Sequence, residues 1–86
     1  MKNIYYIKVT VELLTGKKPT KNDVPNIKTL AMPSRNNTAT KVRASKTDVE
    51  YIERQMHKRV KGFKDVVIKG VETLNIIGEY DELTEN

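Results

Sequence analysis

The stretch Ile4–Leu14, "IYYIKVTVELL", decides how the rest of the chain is read. Tyr5, Ile7, Val9, Val11 and Leu13 alternate with Tyr6, Lys8, Thr10 and Glu12. A period of two, carried by β-branched and aromatic residues, predicts a strand with one face buried and the other solvated. A strand of this kind needs partners on its edges and a layer over its apolar face, so the neighbouring segments are read for both.

"TGKKPTKNDVPN" follows, with Gly16, Pro19 and Pro25 among short polar residues, and reads as a loop. It carries Lys17, Lys18 and Lys21. A second extended segment runs from Ile27 to Met32 and stops at Pro33, which has no N–H to give to a ladder. Asn36-Asn37 then suggests a tight hairpin turn, because asparagine tolerates positive φ better than most residues. The returning segment, Thr38 to Ser45, reads as a weak strand with Thr38, Thr40, Val42 and Ala44 on one face.

The covering layer comes next. Val49, Ile52, Met56 and Val60 recur at steps of three and four and form one apolar helical stripe. Thr47 and Glu50 have the spacing of a capping box. Gly62 suits a left-handed C-terminal cap and Phe63 its hydrophobic anchor, so a helix is predicted over 48–61.

Residues 63–80 are again extended, with Val66, Ile68, Leu74, Ile76 and Tyr80 in one phase and Glu72 interrupting it. At about 3.3 Å per residue one strand of that length would span roughly 60 Å. Two strand segments meeting near Gly70 are therefore expected. The order β-β-β-α-β, or β-β-β-α-β-β, defines an α+β fold: a mainly antiparallel sheet with one amphipathic helix packed on a face. Residues 1–80 form the expected single domain, and 81–86 an acidic, frayed tail.

Composition narrows the function. The chain has 86 residues and no cysteine, which removes disulfides, thiolate metal sites and thiol nucleophiles. No apolar run approaches the roughly 18 residues that cross a bilayer, so a cytoplasmic protein without a membrane partner is expected. The net charge of +5 is uneven: residues 1–46 hold ten basic residues against two acids, and residues 47–86 six against nine. The abundance of Lys, Asn and Ile suits the AT-rich short reading frames of phages and mobile elements.

Catalytic patterns are absent. His57 is the sole histidine and falls in the last turns of the predicted helix, where the dipole favours it. Ser34 and Ser45 have no nucleophile-elbow context, and Gly16-Lys17-Lys18 lacks the second glycine and spacing of a phosphate loop. The helix charges Arg54, Lys58, Arg59 and Lys61 follow the macrodipole, with the acids gathered at the other terminus.

Dipoles do not explain cations on loops and strands. Lys17, Lys18, Lys21, Arg35, Lys41, Arg43 and Lys46 have only Asp23 among them. Such a set is suited to phosphates, with little sequence specificity. Tyr6, facing away from the core side of its strand, could stack a base. No RRM, KH or OB signature accompanies these residues. The sequence thus points to a non-enzymatic binding protein, with no cofactor and no metal, for nucleic acid or a nucleotide. The alternative is a protein-interaction module: a stoichiometric inhibitor or accessory factor of a nucleic-acid-handling enzyme, of the phage anti-defence type. Open strand edges also suggest a homo-oligomer.

Overall fold

In the computed structural model, which describes residues 1–82, three strands and two helices follow the order β1 (Lys2–Leu14), β2 (Asn26–Ser34), α1 (Ala39–Ala44), α2 (Lys46–Arg59) and β3 (Asp65–Tyr80). The sheet order is β2-β1-β3, and β1 pairs antiparallel with both neighbours. This is the α+β fold that the alternation and the helical stripe imply. Residues 83–86, the end of the tail expected to fray, lie outside the described residues.

β1 is the axis of the molecule. Ile7, Val9 and Val11 are fully buried and Leu13 nearly so, so the period of two is a true face assignment. Leu30 and Met32 of β2 continue that face on one side and Ile68 of β3 on the other. Both helices close it, with Val42 from α1 and Ile52 and Met56 from α2 at zero exposure. Burying such side chains contributes roughly 1.5–3 kcal/mol each before chain entropy is subtracted. The opposite face of the sheet has no covering layer among the described residues. It carries the ion pairs Lys8–Glu72 (3.3 Å) and Lys69–Glu12 (3.6 Å).

Three local expectations are corrected. Residues 38–45 form no weak strand: Thr38 caps α1, its Oγ1 accepting from the Lys41 N–H at 3.3 Å. Alternation gives the wrong period because Ala39 and Val42, three apart, both reach the core. Asn36-Asn37 is accordingly not a hairpin turn, and no non-glycine residue has positive φ among the described residues. Last, α2 begins at Lys46, not Asp48, and its cap is Ser45, whose Oγ accepts from the Asp48 N–H at 3.3 Å. The Ser45–Asp48 spacing takes the role expected of Thr47 and Glu50.

The far end of α2 falls short of the expected residue 61: the helix ends at Arg59 and its cap, Val60, is extended (φ −132°, ψ 137°), so Gly62 lies beyond the cap rather than forming it. Gly62 has φ +89°, and Phe63 is buried and stacks on His57 with ring centroids 4.1 Å apart. That histidine therefore packs against the hydrophobic anchor that closes the helix.

β3 is one strand, with no turn at Gly70. Its 16 residues lie opposite the 13 of β1 because the register shifts three times, leaving Lys69, Leu74 and Ile77 as extra, bulged residues. Each bulge resets the face. Val71 and Thr73 thereby lie opposite Val9 and Ile7 on the core side, while Glu72 lies opposite Lys8 on the open side. The length objection is met by an elongated molecule, 49 × 24 × 21 Å, rather than by a chain reversal.

Candidate phosphate-binding end

The sheet has two distinct ends. At one, β1 leaves through Leu14 into the loop 15–25; at the other, β2 ends at Ser34, opposite Tyr5. Nine residue steps along β1 lead from Tyr5 to Leu14, roughly 30 Å at about 3.3 Å per step. The basic residues singled out from sequence are divided between these ends and do not form one patch.

Lys17, Lys18 and Lys21 occupy the loop end and are exposed, with no ion pair among the described residues. The one acid of the loop, Asp23, is engaged locally, accepting from the Thr20 N–H at 2.6 Å. Arg35 lies at the other end, its guanidinium 4.4 Å from the Tyr80 ring centroid. Lys46 is there too, at the start of α2, and pairs with Glu50 at 3.9 Å. Lys41 is exposed on α1. Arg43 serves the fold: its Nη2 donates to the Ile68 carbonyl at 2.8 Å and it borders an apolar cleft of about 220 Å³ with Val49, Ile52 and Val66. Tyr6 is 37% exposed on the uncovered face, opposite Pro33 and Asn75.

The loop end gains the last-turn cations that the helix dipole alone would account for, and Lys64 beyond them. The Lys64 N–H donates to the Leu14 carbonyl at 2.7 Å, which brings the α2–β3 connection against the start of the loop. Gly16, at φ +82°, lies against the aliphatic stem of Lys64; an added Cβ would come within 3.0 Å of that stem. Lys58, Arg59, Lys61 and Lys64 thus join Lys17, Lys18 and Lys21 at this end, and all seven are exposed. Only Asp23 and Asp65 oppose them, a net of +5 that equals the charge of the whole chain. The other nine basic and nine acidic residues cancel. The C-terminus of α2 is directed here as well, and its partial negative charge offsets only a fraction of that excess. Phe63 carries the one sequence signal for this meeting, since a buried anchor just past a helix turns the chain back onto the core.

The opposite end is built from neutralised groups. Asp48, nearly buried, accepts from Ser34 Oγ at 2.9 Å and Asn36 Nδ2 at 2.7 Å. Ser34 Oγ in turn accepts from the Asn36 N–H at 2.9 Å, so one serine and one asparagine tie the end of β2 to the first turn of α2. This explains the asparagine better than a hairpin does. A cleft of about 560 Å³ opens beside the network, with Arg35, Thr47 and Asp48 among its lining residues. A carboxylate in its wall disfavours anions there.

Among the described residues there is no group of three or more His, Cys, Asp or Glu side chains placed to hold a metal ion. Nor is any helix among them long and apolar enough to cross a membrane. Compared with protein-family models, curated proteins and solved structures, the chain matches none, so its own residues carry the functional argument.

Proposed function

We propose that this protein is a non-enzymatic binder of a phosphate-bearing polymer, nucleic acid, and that it binds through the loop end rather than through the segment 32–46. The observation that carries the reading is the concentration of an excess equal to the chain's net charge on seven exposed side chains of the loop 15–25, the last turn of α2 and the α2–β3 connection. Like charges held this close raise the free energy of the folded protein, and a polyanion relieves that repulsion while releasing its own counterions. A polymer suits the end better than a free nucleotide does. The cations are spread over an open surface, and neither cleft described above is lined by a lysine. Sequence preference is expected to be weak, since lysines on loops contact phosphates rather than base edges.

Titrating labelled duplex and single-stranded DNA and RNA across salt concentrations tests this. Replacing Lys17, Lys18, Lys21 and Lys64 together by Gln is expected to weaken binding and flatten its salt dependence, by roughly 0.9 in log–log slope for each duplex phosphate no longer neutralised. A wild-type protein that binds none of these polymers, even at low salt, overturns the proposal. In that event the basic end is better suited to an acidic groove on a nucleic-acid-handling enzyme, the inhibitor or accessory-factor role.

A further inference from the structure

The cations of the loop end are not all held alike. The side chains of Lys17, Lys18, Lys21, Lys58 and Lys61 make no hydrogen bond, ion pair or ring contact among the described residues. Arg59 turns back toward β2, its Nη1 donating to the Thr29 carbonyl at a long 3.5 Å. Lys64 is held twice. Its N–H donates to the Leu14 carbonyl at 2.7 Å, and its side chain lies across Gly16. A Cβ added at Gly16 would stand 3.0 Å from Lys64 Cδ and 3.7 Å from both its Cε and its Nζ. The ammonium of the α2–β3 connection is thereby set down on the loop, at the residue that precedes Lys17 and Lys18.

An exposed lysine gives up rotamer freedom when it settles on a phosphate, and that loss subtracts from the attraction. A lysine whose stem already rests on backbone has less of that freedom to give up. Gly16 provides for this in two ways. Its φ of +82° is a conformation that residues with a side chain rarely adopt, and its missing Cβ leaves the space that the stem of Lys64 fills. Thr15 supports the same turn, its Oγ1 accepting from the Lys17 N–H at 3.4 Å.

We infer that Lys64 is the anchoring cation of the polyanion site, the side chain that takes one backbone phosphate of the polymer, and that Gly16 is its positioning residue. The inference rests on the binding reading above and adds a ranking to it. Cations of equal charge at this end contribute unequally, and the one held in place contributes more than those that are not.

The test is a double-mutant cycle read by the affinity of the full chain for a short labelled DNA duplex at fixed salt. Lys64→Ala, Lys18→Ala and Lys61→Ala each remove one positive charge. Lys64→Ala should lose roughly fourfold more affinity than either of the others, the size expected of one side chain fixed in advance. Gly16→Ala keeps every charge and should lose about fourfold by displacing Lys64. In the Lys64→Ala background the same substitution should change affinity by less than about twofold, because its target is gone. Circular dichroism checks folding. Should Gly16→Ala fail to fold, Gly16→Asn replaces it, since asparagine accepts positive φ while its Cβ still meets Lys64.

Three results overturn the inference and leave the binding reading standing: a Lys64→Ala loss no larger than that of Lys18→Ala, a glycine variant that binds as wild type, or a glycine effect of the same size in both backgrounds. The last would mean that strain in the loop acts on Lys17 and Lys18 directly. A wild type that binds no duplex even at low salt overturns the reading itself, and the inference with it.

Discussion

The two ends of this small sheet use similar residues to opposite effect. At the Ser34 end, a carboxylate, a hydroxyl and an amide are drawn inside and bonded to one another, and the lysine at the start of α2 is paired. At the Leu14 end, seven basic side chains stand in water with two acids for company. Polar groups that a fold needs are desolvated and matched, because an unmatched buried group costs more than most single contacts return. Groups left exposed and repelling one another contribute nothing to the fold. The contrast is the physical ground for placing structure at one end and binding at the other, and it can be attacked from either side.

The largest expected effect is at Asp48. Asp48→Ala removes an acceptor shared by Ser34 and Asn36 and leaves both donors without it. A loss of about 2–4 kcal/mol is expected, which for a domain this small is a fall in Tm of roughly 10–25 °C. Asp48→Asn, which keeps an acceptor oxygen, should lose about half as much. Thermal melts followed by circular dichroism measure both. Polyanion binding by the folded fraction should not change. A melt within about 1 kcal/mol of wild type for Asp48→Ala would show that this end is no more structural than the other.

Arg43 sharpens the contrast, because its place in the sequence groups it with the candidate phosphate-binding cations while its Nη2 is bonded to the Ile68 carbonyl. Arg43→Met preserves most of the apolar stem and removes the donor. The expected cost is about 1 kcal/mol, reduced from that of a buried charged hydrogen bond because the residue is partly in water. Affinity for DNA and its salt slope should stay as in wild type. A lower slope with unchanged stability would return Arg43 to the binding surface and move that surface toward α1.

How much of this is legible in the sequence follows from the range over which each signal acts. β1 and α2 announce themselves because five and four apolar residues repeat at a fixed step, enough to identify a face without knowing what covers it. Gly62-Phe63 is legible for the same reason, being a local backbone requirement followed by an anchor. α1 is not, since six residues hold fewer than two turns and Val42 is its one fully buried side chain. The bulges at Lys69, Leu74 and Ile77 leave no mark in the sequence of β3; they exist only in its register against β1, and they replace the expected core position of Leu74 by Val71. The candidate site is half legible. Lys17, Lys18 and Lys21 are recognisable as loop cations, but grouping them with Arg35, Lys41, Arg43 and Lys46 assumes a hairpin that the fold does not make. For Lys58, Arg59 and Lys61, dipole compensation is an explanation sufficient for the helix and silent about where its end is placed, and Lys64 carries no signal of its own.

The smallest expected effect on the fold is the most direct comparison of the two ends. Arg35 and Lys46 are cations of the Ser34 end, one stacked on Tyr80 and one paired with Glu50. Replacing both by Gln removes two positive charges, and so does replacing Lys17 and Lys18 by Gln at the loop end. Neither double variant should lose more than about 1 kcal/mol of stability, since exposed ion pairs and cation–π contacts are each worth less than that. Net charge falls equally in the two, so long-range attraction to a polyanion falls by a similar amount, and salt at physiological strength screens charges more than about 8 Å away. What remains is local contact. The Lys17/Lys18 variant should therefore lose salt slope, by up to about 1.8 for two duplex phosphates, whereas the Arg35/Lys46 variant should keep it. Equal losses would mean that DNA responds to the total charge of the molecule and that neither end is a site. A loss confined to Arg35 and Lys46 would exchange the roles of the two ends.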